Sequence, residues 1–275
     1  MSDALDAFYA ISVNPGQIVV LWLADGAPSG VLLRTNQKAF LVDPAGTISG
    51  SDVNKLQRLD VLLITHEHSD HFQRSVTLAI QVKTGAVVIV NPGVFMQLSG
   101  AVPSDKLIKM RSLETQNVEG VEIIAVASIH PATEPLTYLV LADFPFFHGS
   151  DSGYNSALTA YKSLVKLAIV PTGGASPTAS PHEALNMVKA LDPTDAAAVH
   201  GSVAQNNELA SLLAQQAPNV RYHALTATSS VMVGEFSGMK LIALAVTLAM
   251  SILILRGKRR ETSKTRESEV APLRT

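Results

Sequence analysis

The sequence predicts an α/β domain of two mixed sheets with helices on their outer faces, plus one C-terminal transmembrane helix. Three observations carry this expectation. The chain has 275 residues and is 47% hydrophobic, enough for one sizeable core and an appendage rather than two full domains. Strand-like segments lead the sequence and then alternate with helix-like ones, as mixed sheets covered by helices require. Finally, the charge-free run LIALAVTLAMSILIL over 241–255 passes straight into the basic stretch RGKRR.

In chain order, 17–23 (QIVVLWL), 30–33 and 38–42 read as an opening β-meander separated by turn-rich stretches. Asp43-Pro44-Ala45-Gly46 closes the third strand. The spacing of Val53, Leu56 and Leu59 predicts a helix over 51–59, and 60–64 is a short apolar strand. A helix over 75–82 and a strand over 86–90 follow, then strands over 120–127 and 136–141, a helix over 155–162 and a strand over 167–170. Ser180 as N-cap, with Pro181 and Glu183 in the first turn, opens a helix over 181–191. A strand over 196–199 and a helix over 206–215 complete the pattern, and no repeat of fixed period interrupts it.

Composition narrows the chemistry. With 21 Lys and Arg against 23 Asp and Glu, the formal charge of −2 offers no broad positive field for a phosphate polymer, so nucleic acid is not expected as a partner. The chain contains no Cys, which excludes disulfides, thiolate metal sites and cysteine nucleophiles. Any metal must therefore be held by His, Asp or Glu. The first Lys or Arg is Arg34, so the N-terminal stretch lacks the basic region of a secretory signal.

One segment concentrates ligand-type residues. Ile64-Thr65-His66-Glu67-His68-Ser69-Asp70-His71-Phe72 follows a predicted strand and packs three imidazoles and two carboxylates into one loop. Alternate residues of an extended segment point the same way, so His66 and His68 can converge on one ion while Glu67 faces away. A turn at Ser69 lets Asp70 and His71 address a neighbouring position. Imidazole and carboxylate donors without thiolate suit zinc, iron or manganese.

This loop resembles the HxHxDH signature of the metallo-β-lactamase superfamily and matches all its ligand-type positions. The resemblance implies a four-layer αββα sandwich and further ligands after later strands. His130, Asp151 and His200 stand where those are expected. It implies that His66, His68 and His130 hold one divalent ion, that Asp70, His71 and His200 hold a second, and that Asp151 lies between them. A metal-activated water is then the nucleophile, and Asp70 can orient it as the catalytic residue. The chain looks most like the branch of ascorbate-phosphate lactonases and N-acylphosphatidylethanolamine-type phospholipases D, on Leu41-Val42-Asp43-Pro44, Ser69-Asp70-His71-Phe72, His148 three residues before Asp151, and Pro171-Thr172-Gly173-Gly174. The resemblance covers about 17–205. Two departures bear on the pocket: Ser150 replaces the glycine usual before the bridging Asp, and Gly201-Ser202 follow the last His where an aromatic is common.

The expected function is metal-dependent hydrolysis of a small phosphorylated, ester or lactone substrate with one or two divalent ions, zinc first and manganese or iron as alternatives. Two other readings compete: a membrane-anchored phosphodiesterase acting on lipid head groups, and a non-catalytic metal-binding scaffold. The expected organisation is a catalytic domain over 1–234, a membrane anchor over 235–256 and a disordered basic tail over 257–275. The run over 241–255 alone is shorter than the ~20 residues of a membrane span. Starting from Phe236 supplies the length if Lys240 snorkels to the interface. The localisation this implies is a single-pass membrane protein with the catalytic domain facing the cytoplasm.

Overall fold

The computed structural model describes residues 1–23, 30–174, 177–227 and 229–234. Strands β1 (Gln17–Trp22), β2 (Val31–Thr35) and β3 (Ala39–Val42) form an antiparallel meander, and β4 (Val61–Ile64), β5 (Val87–Val90) and β6 (Leu107–Lys109) add to it in parallel. A second sheet holds β7 (Thr115–Val118), β8 (Val121–Ala127), β9 (Leu136–Leu141), β10 (Phe146–His148), β11 (Leu167–Pro171), β12 (Asp195–Val199) and β13 (Arg221–His223). The chain then returns to the first sheet, where β14 (Ser230–Gly234) pairs with β1. The spatial orders are β14-β1-β2-β3-β4-β5-β6 and β13-β12-β11-β10-β9-β8-β7. Both sheets are mixed.

Each sheet is covered on both faces, which explains why β1 is buried along its whole length. Ile18, Val20 and Trp22 point into the core between the sheets, beside Leu33, Phe40, Tyr138 and Phe146. Val19 and Leu21 point the other way. On that outer face pack α1 (Ser2–Ala10), α2 (Gly50–Val53), α3 (Arg74–Thr84) and α4 (Pro92–Leu98), through residues such as Phe8, Val53, Ile80 and Val94. The outer face of the second sheet takes α5 (Pro181–Leu191) and α6 (Val203–Gln216) through Leu185, Val188, Leu209 and Leu213. Helix α5 begins as its sequence predicts: the Ser180 side chain accepts from the Glu183 N–H, and Glu183 accepts from the Ser180 N–H.

Strand direction positions the site. β1, β3 and β4 share one direction, because β1 and β3 are each antiparallel to β2 and β4 is parallel to β3. β10 to β13 are parallel to one another. The segments that follow β4, β8, β10 and β12 carry the ligand-type residues.

Some expectations change. The helix expected over 51–59 is only the short α2, and 155–162 holds a 3-10 turn at Ser156–Tyr161. α1, α4 and the short strands β6, β7, β10, β13 and β14 lie outside the predicted elements. The transmembrane helix is also withdrawn, together with the membrane partner and the membrane localisation built on it. No helix among the described residues is long and apolar enough to cross a membrane. The segment 235–256 lies outside the described residues, as does the basic tail. Its charge-free part is shorter than a span and reaches that length only by taking in Lys240.

Away from the ligand loops, Asp195 fastens β13 to β12. Its buried carboxylate accepts from Arg221 Nε and Nη2, each at 3.0 Å, from Thr194 Oγ1 at 2.6 Å, and pairs with His223 Nε2 at 2.7 Å. Burial pushes this carboxyl up, but the hydrogen bonds from His223, Arg221 and Thr194 outweigh it and hold the group at about 2, below its ordinary 3.8. A depressed folded-state value stabilises the fold above about pH 4, and that contribution is lost as pH falls toward 2. Asp195→Asn is expected to cost about 2 kcal/mol at pH 7, discounted for the half-exposed Arg221. Urea unfolding should show the gap from wild type shrinking by pH 2.5. A gap independent of pH would remove the ionic role.

Candidate metal centre

Strand β4 delivers the HxHxDH loop to the sheet edge, and the chain turns back on itself there: His71 and Phe72 N–H both donate to the His68 carbonyl. The loops after β8, β10 and β12 bring His130, Asp151 and His200 against it. All seven ligand-type residues thus meet at one edge. Nitrogen or oxygen atoms of His66, His68, His130 and Asp151 lie within 4.8 Å of one another, and so do those of Asp70, His71 and His200. Asp151 Oδ2 faces both groups, at 3.1 Å from His130 Nε2, 3.4 Å from His71 Nε2 and 3.8 Å from His66 Nε2. Asp70 Oδ2 is 3.5 Å from His71 Nε2 and 3.9 Å from His200 Nε2.

The surrounding hydrogen bonds aim the imidazole lone pairs inward. Asp43, just after β3 at φ +46°, accepts from Thr65 N–H at 2.9 Å and from the Thr65 hydroxyl at 2.7 Å, and it lies 2.8 Å from His71 Nδ1. The Thr65 hydroxyl spends its proton on Asp43, so it is the acceptor toward His66 Nδ1 at 3.1 Å and toward Ser150 Oγ at 2.8 Å. With Nδ1 donating outward, the Nε2 atom of His66 carries a lone pair toward Asp151, and that of His71 offers one once its Nε2 proton is displaced by a cation. Ser150, at φ +53° and fully buried, is thereby a working member of this network where the family pattern has glycine.

Glu67 faces away from the cluster. It accepts from Asn91 Nδ2 at 3.0 Å and from Thr133 N–H at 2.7 Å, tying the motif to the loop that carries His130. Gly93 leaves the necessary space, since a Cβ there would stand 2.6 Å from Glu67 Oε2. His200 adopts a left-handed backbone, φ +50°, and the glycine after it is sterically required: a Cβ on Gly201 would lie 2.0 Å from Thr172 Oγ1. His148 is buried and its Nδ1 accepts from Ser150 N–H. His182 is exposed on α5 and His223 belongs to Asp195. The sequence offers no periodic signal for Thr65, Ser150 or Thr172; adjacency to the ligand residues is the clue that points to the first two.

The residues present fit a divalent cation. Asp70 is held at about 2, chiefly by the hydrogen bond from His71, while Asp151 falls below the usual carboxylate range because His71, His66 and His130 outweigh its burial. Burial lowers His66 to about 4 and also lowers His130 and His200, so these rings are neutral at pH 7, the form in which an imidazole can ligate. His71 is pushed down by burial, but Asp43, Asp151 and Asp70 raise it well above its ordinary value. Three carboxylates, Asp43, Asp70 and Asp151, therefore surround one charged imidazole, His71, beside neutral His66, His130 and His200, an excess of negative charge that favours a cation. His66 Nε2 is buried without a hydrogen-bond partner among the described residues, and His68 Nδ1 sits 3.0 Å from His130 Nε2. These atoms have the chemistry that a bound metal ion would satisfy.

Known proteins place this geometry in a family. Residues 38–201 match the beta-lactamase superfamily domain, a stretch containing the whole cluster. A UPF0173 protein of Pyrococcus abyssi is 30% identical over 173 residues, covering 62% of this chain and 78% of that protein. A UPF0173 metal-dependent hydrolase of Caldivirga maquilingensis is 25% identical over 200 residues, covering 68% of this chain and 87% of its own length. In fold, the chain is similar to Igni18, a metallo hydrolase of Ignicoccus hospitalis, with a TM-score of 0.65 at 18% identity over 80% of this chain and 100% of that one. Since the matched stretch, its relatives and the ligand cluster coincide, the chain belongs to the metallo-β-lactamase superfamily and is a metal-dependent hydrolase.

Proposed function

We propose that 1–234 is the catalytic unit and that it hydrolyses a small ester, lactone or phosphorylated substrate at the His/Asp cluster. The observation that carries this reading is Asp151 Oδ2 standing between two adjacent donor groups, within 3.8 Å of His66, His71 and His130. Bound divalent ions supply a Lewis acid for the scissile group and bring the pKa of water toward neutrality. His66, His68, His130 and Asp151 would hold one, and Asp70, His71 and His200 another; the donor set suits zinc, manganese or iron. Asp70 has a side chain 44% exposed, unlike the buried Asp151, so it can meet incoming water, orient it and accept its proton.

Elemental mass spectrometry on the full chain should find one to two transition-metal ions per molecule. The loaded protein should turn over generic esters, lactones or phosphodiesters. Asp70→Asn is expected to lower kcat by about 10²- to 10⁴-fold with the fold retained by circular dichroism. Full turnover by that variant would remove Asp70 from the reaction, and a chain that takes up no metal would sink the proposal as a whole.

A further inference from the structure

A cavity of about 390 Å³ lies on the sheet edge that carries the cluster. Trp22 at the end of β1, Gly201 after β12, and Tyr222 and Leu225 running out of β13 form its walls, with Val203 and Asn206 from the first turns of α6. β1 runs in the direction of β4, and β13 in the direction of β12, so these strand ends reach the same edge as His66 and His200. Gly201 is bonded directly to His200. One wall of the cavity is therefore the chain neighbour of the cluster.

Its lining is uncharged: no Lys, Arg, His, Asp or Glu is among the described residues that form it. Trp22, Leu225, Val203 and the Tyr222 ring make it apolar, and Val203, although aliphatic, is 72% exposed. The N-terminus of α6 opens beside it, but a capping box already satisfies the Ser202 and Gln205 N–H groups. Asn206 Oδ1 is engaged by Thr172 Oγ1 at 2.5 Å. A phosphate finds no cation there, whereas an acyl chain or small ring finds the size and polarity of a ligand pocket.

Resting on the hydrolase reading above, we propose that this cavity is the specificity pocket, taking the apolar acyl part of a carboxylic ester or lactone while its carbonyl sits at the His/Asp cluster. In the reaction the water oxygen bonds to the acyl carbon and the bond from that carbon to the alkoxy oxygen breaks. One water proton goes to the departing alcohol; the other is released as the acid ionises. The substrate class narrows to uncharged esters and lactones, at the expense of phosphorylated compounds.

Trp22 is the one tryptophan of the sequence, so its emission reports occupancy of the cavity independently of turnover. The full metal-loaded chain is titrated with octanoate and with acetate, and assayed on p-nitrophenyl acetate, butyrate and octanoate and on bis-p-nitrophenyl phosphate. We expect a saturable change in emission with octanoate and none with acetate, and kcat/KM rising by up to about fourfold per added methylene. Ala224→Phe, which fills the cavity from an exposed position, and Val203→Asp, which charges it, should each cut the octanoate-to-acetate ratio of kcat/KM at least tenfold. Ester turnover with no dependence on chain length and no change in emission overturns the pocket while the hydrolase reading stands. Octanoate binding that both variants weaken, without turnover of any ester, upholds the pocket and overturns the ester chemistry. Preference for the phosphodiester overturns the proposed substrate class.

Discussion

Asp151→Ala is expected to reduce turnover by about 10³-fold or more and to bring metal content below one ion per chain. The carboxylate stands among the nitrogens of His66, His71 and His130, and so faces both halves of the cluster. Removing it weakens both halves, where loss of an outer ligand such as His200 weakens one. A bound metal contributes several kcal/mol of transition-state stabilisation, and about 4 kcal/mol corresponds to about 10³ in rate. Asp151 also holds His71 protonated in the absence of metal, together with Asp43 and Asp70. The variant loses an anion and not a packing element, so circular dichroism should be unchanged. Metal analysis and turnover on the same preparation decide the outcome: an Asp151→Ala protein with full metal content and undiminished activity would show that the bridging position is not used.

The parts of this molecule that were legible in sequence are those in which chemistry and chain neighbourhood coincide. His66, His68, Asp70 and His71 are written within one loop, so their grouping needs only the local geometry of a strand followed by a turn. His130, Asp151 and His200 are far apart in the chain and could be placed only by resemblance, because what brings them together is the shared direction of β8, β10 and β12 in the second sheet. The roles of Thr65 and Ser150 were hidden for a related reason: their hydrogen bonds join loops after β3, β4 and β10, and no spacing rule encodes that. β10 and β13 span only Phe146–His148 and Arg221–His223, too short to show an alternation of period two. The cavity beside His200 draws on residues from Trp22 to Thr226 and exists only once both sheets are packed. At the C-terminus hydropathy was over-read, since an apolar run below spanning length is not by itself a membrane helix.

Asp43 should show the largest effect of any residue outside the ligand set, and its two substitutions should separate stability from metal affinity. The carboxylate is fully buried and its closest donors are Thr65 N–H, the Thr65 hydroxyl and His71 Nδ1. Burial pushes it up, but His71 more than compensates and keeps it ionised below its ordinary value. Asp43→Ala leaves those donors and a charged His71 buried without their anion, which costs about 3–5 kcal/mol and should be read as a fall in the urea midpoint. Asp43→Asn keeps the volume, and asparagine tolerates the left-handed backbone at φ +46°, so the fold should survive with a smaller loss. Its amide, however, cannot accept from all three donors. With the oxygen turned to Thr65, the NH₂ faces His71 Nδ1, and the imidazole must carry its proton on Nε2, the atom that points at Asp151 and Asp70. A proton there occupies the lone pair that a metal ion needs. Metal affinity of Asp43→Asn should therefore fall by about 10- to 100-fold, the range found when a ligating histidine loses its outer partner. Competition with a chromophoric chelator measures this directly: an unchanged affinity would mean that the Asp43–His71 contact braces the loop without setting which nitrogen of His71 is free to ligate.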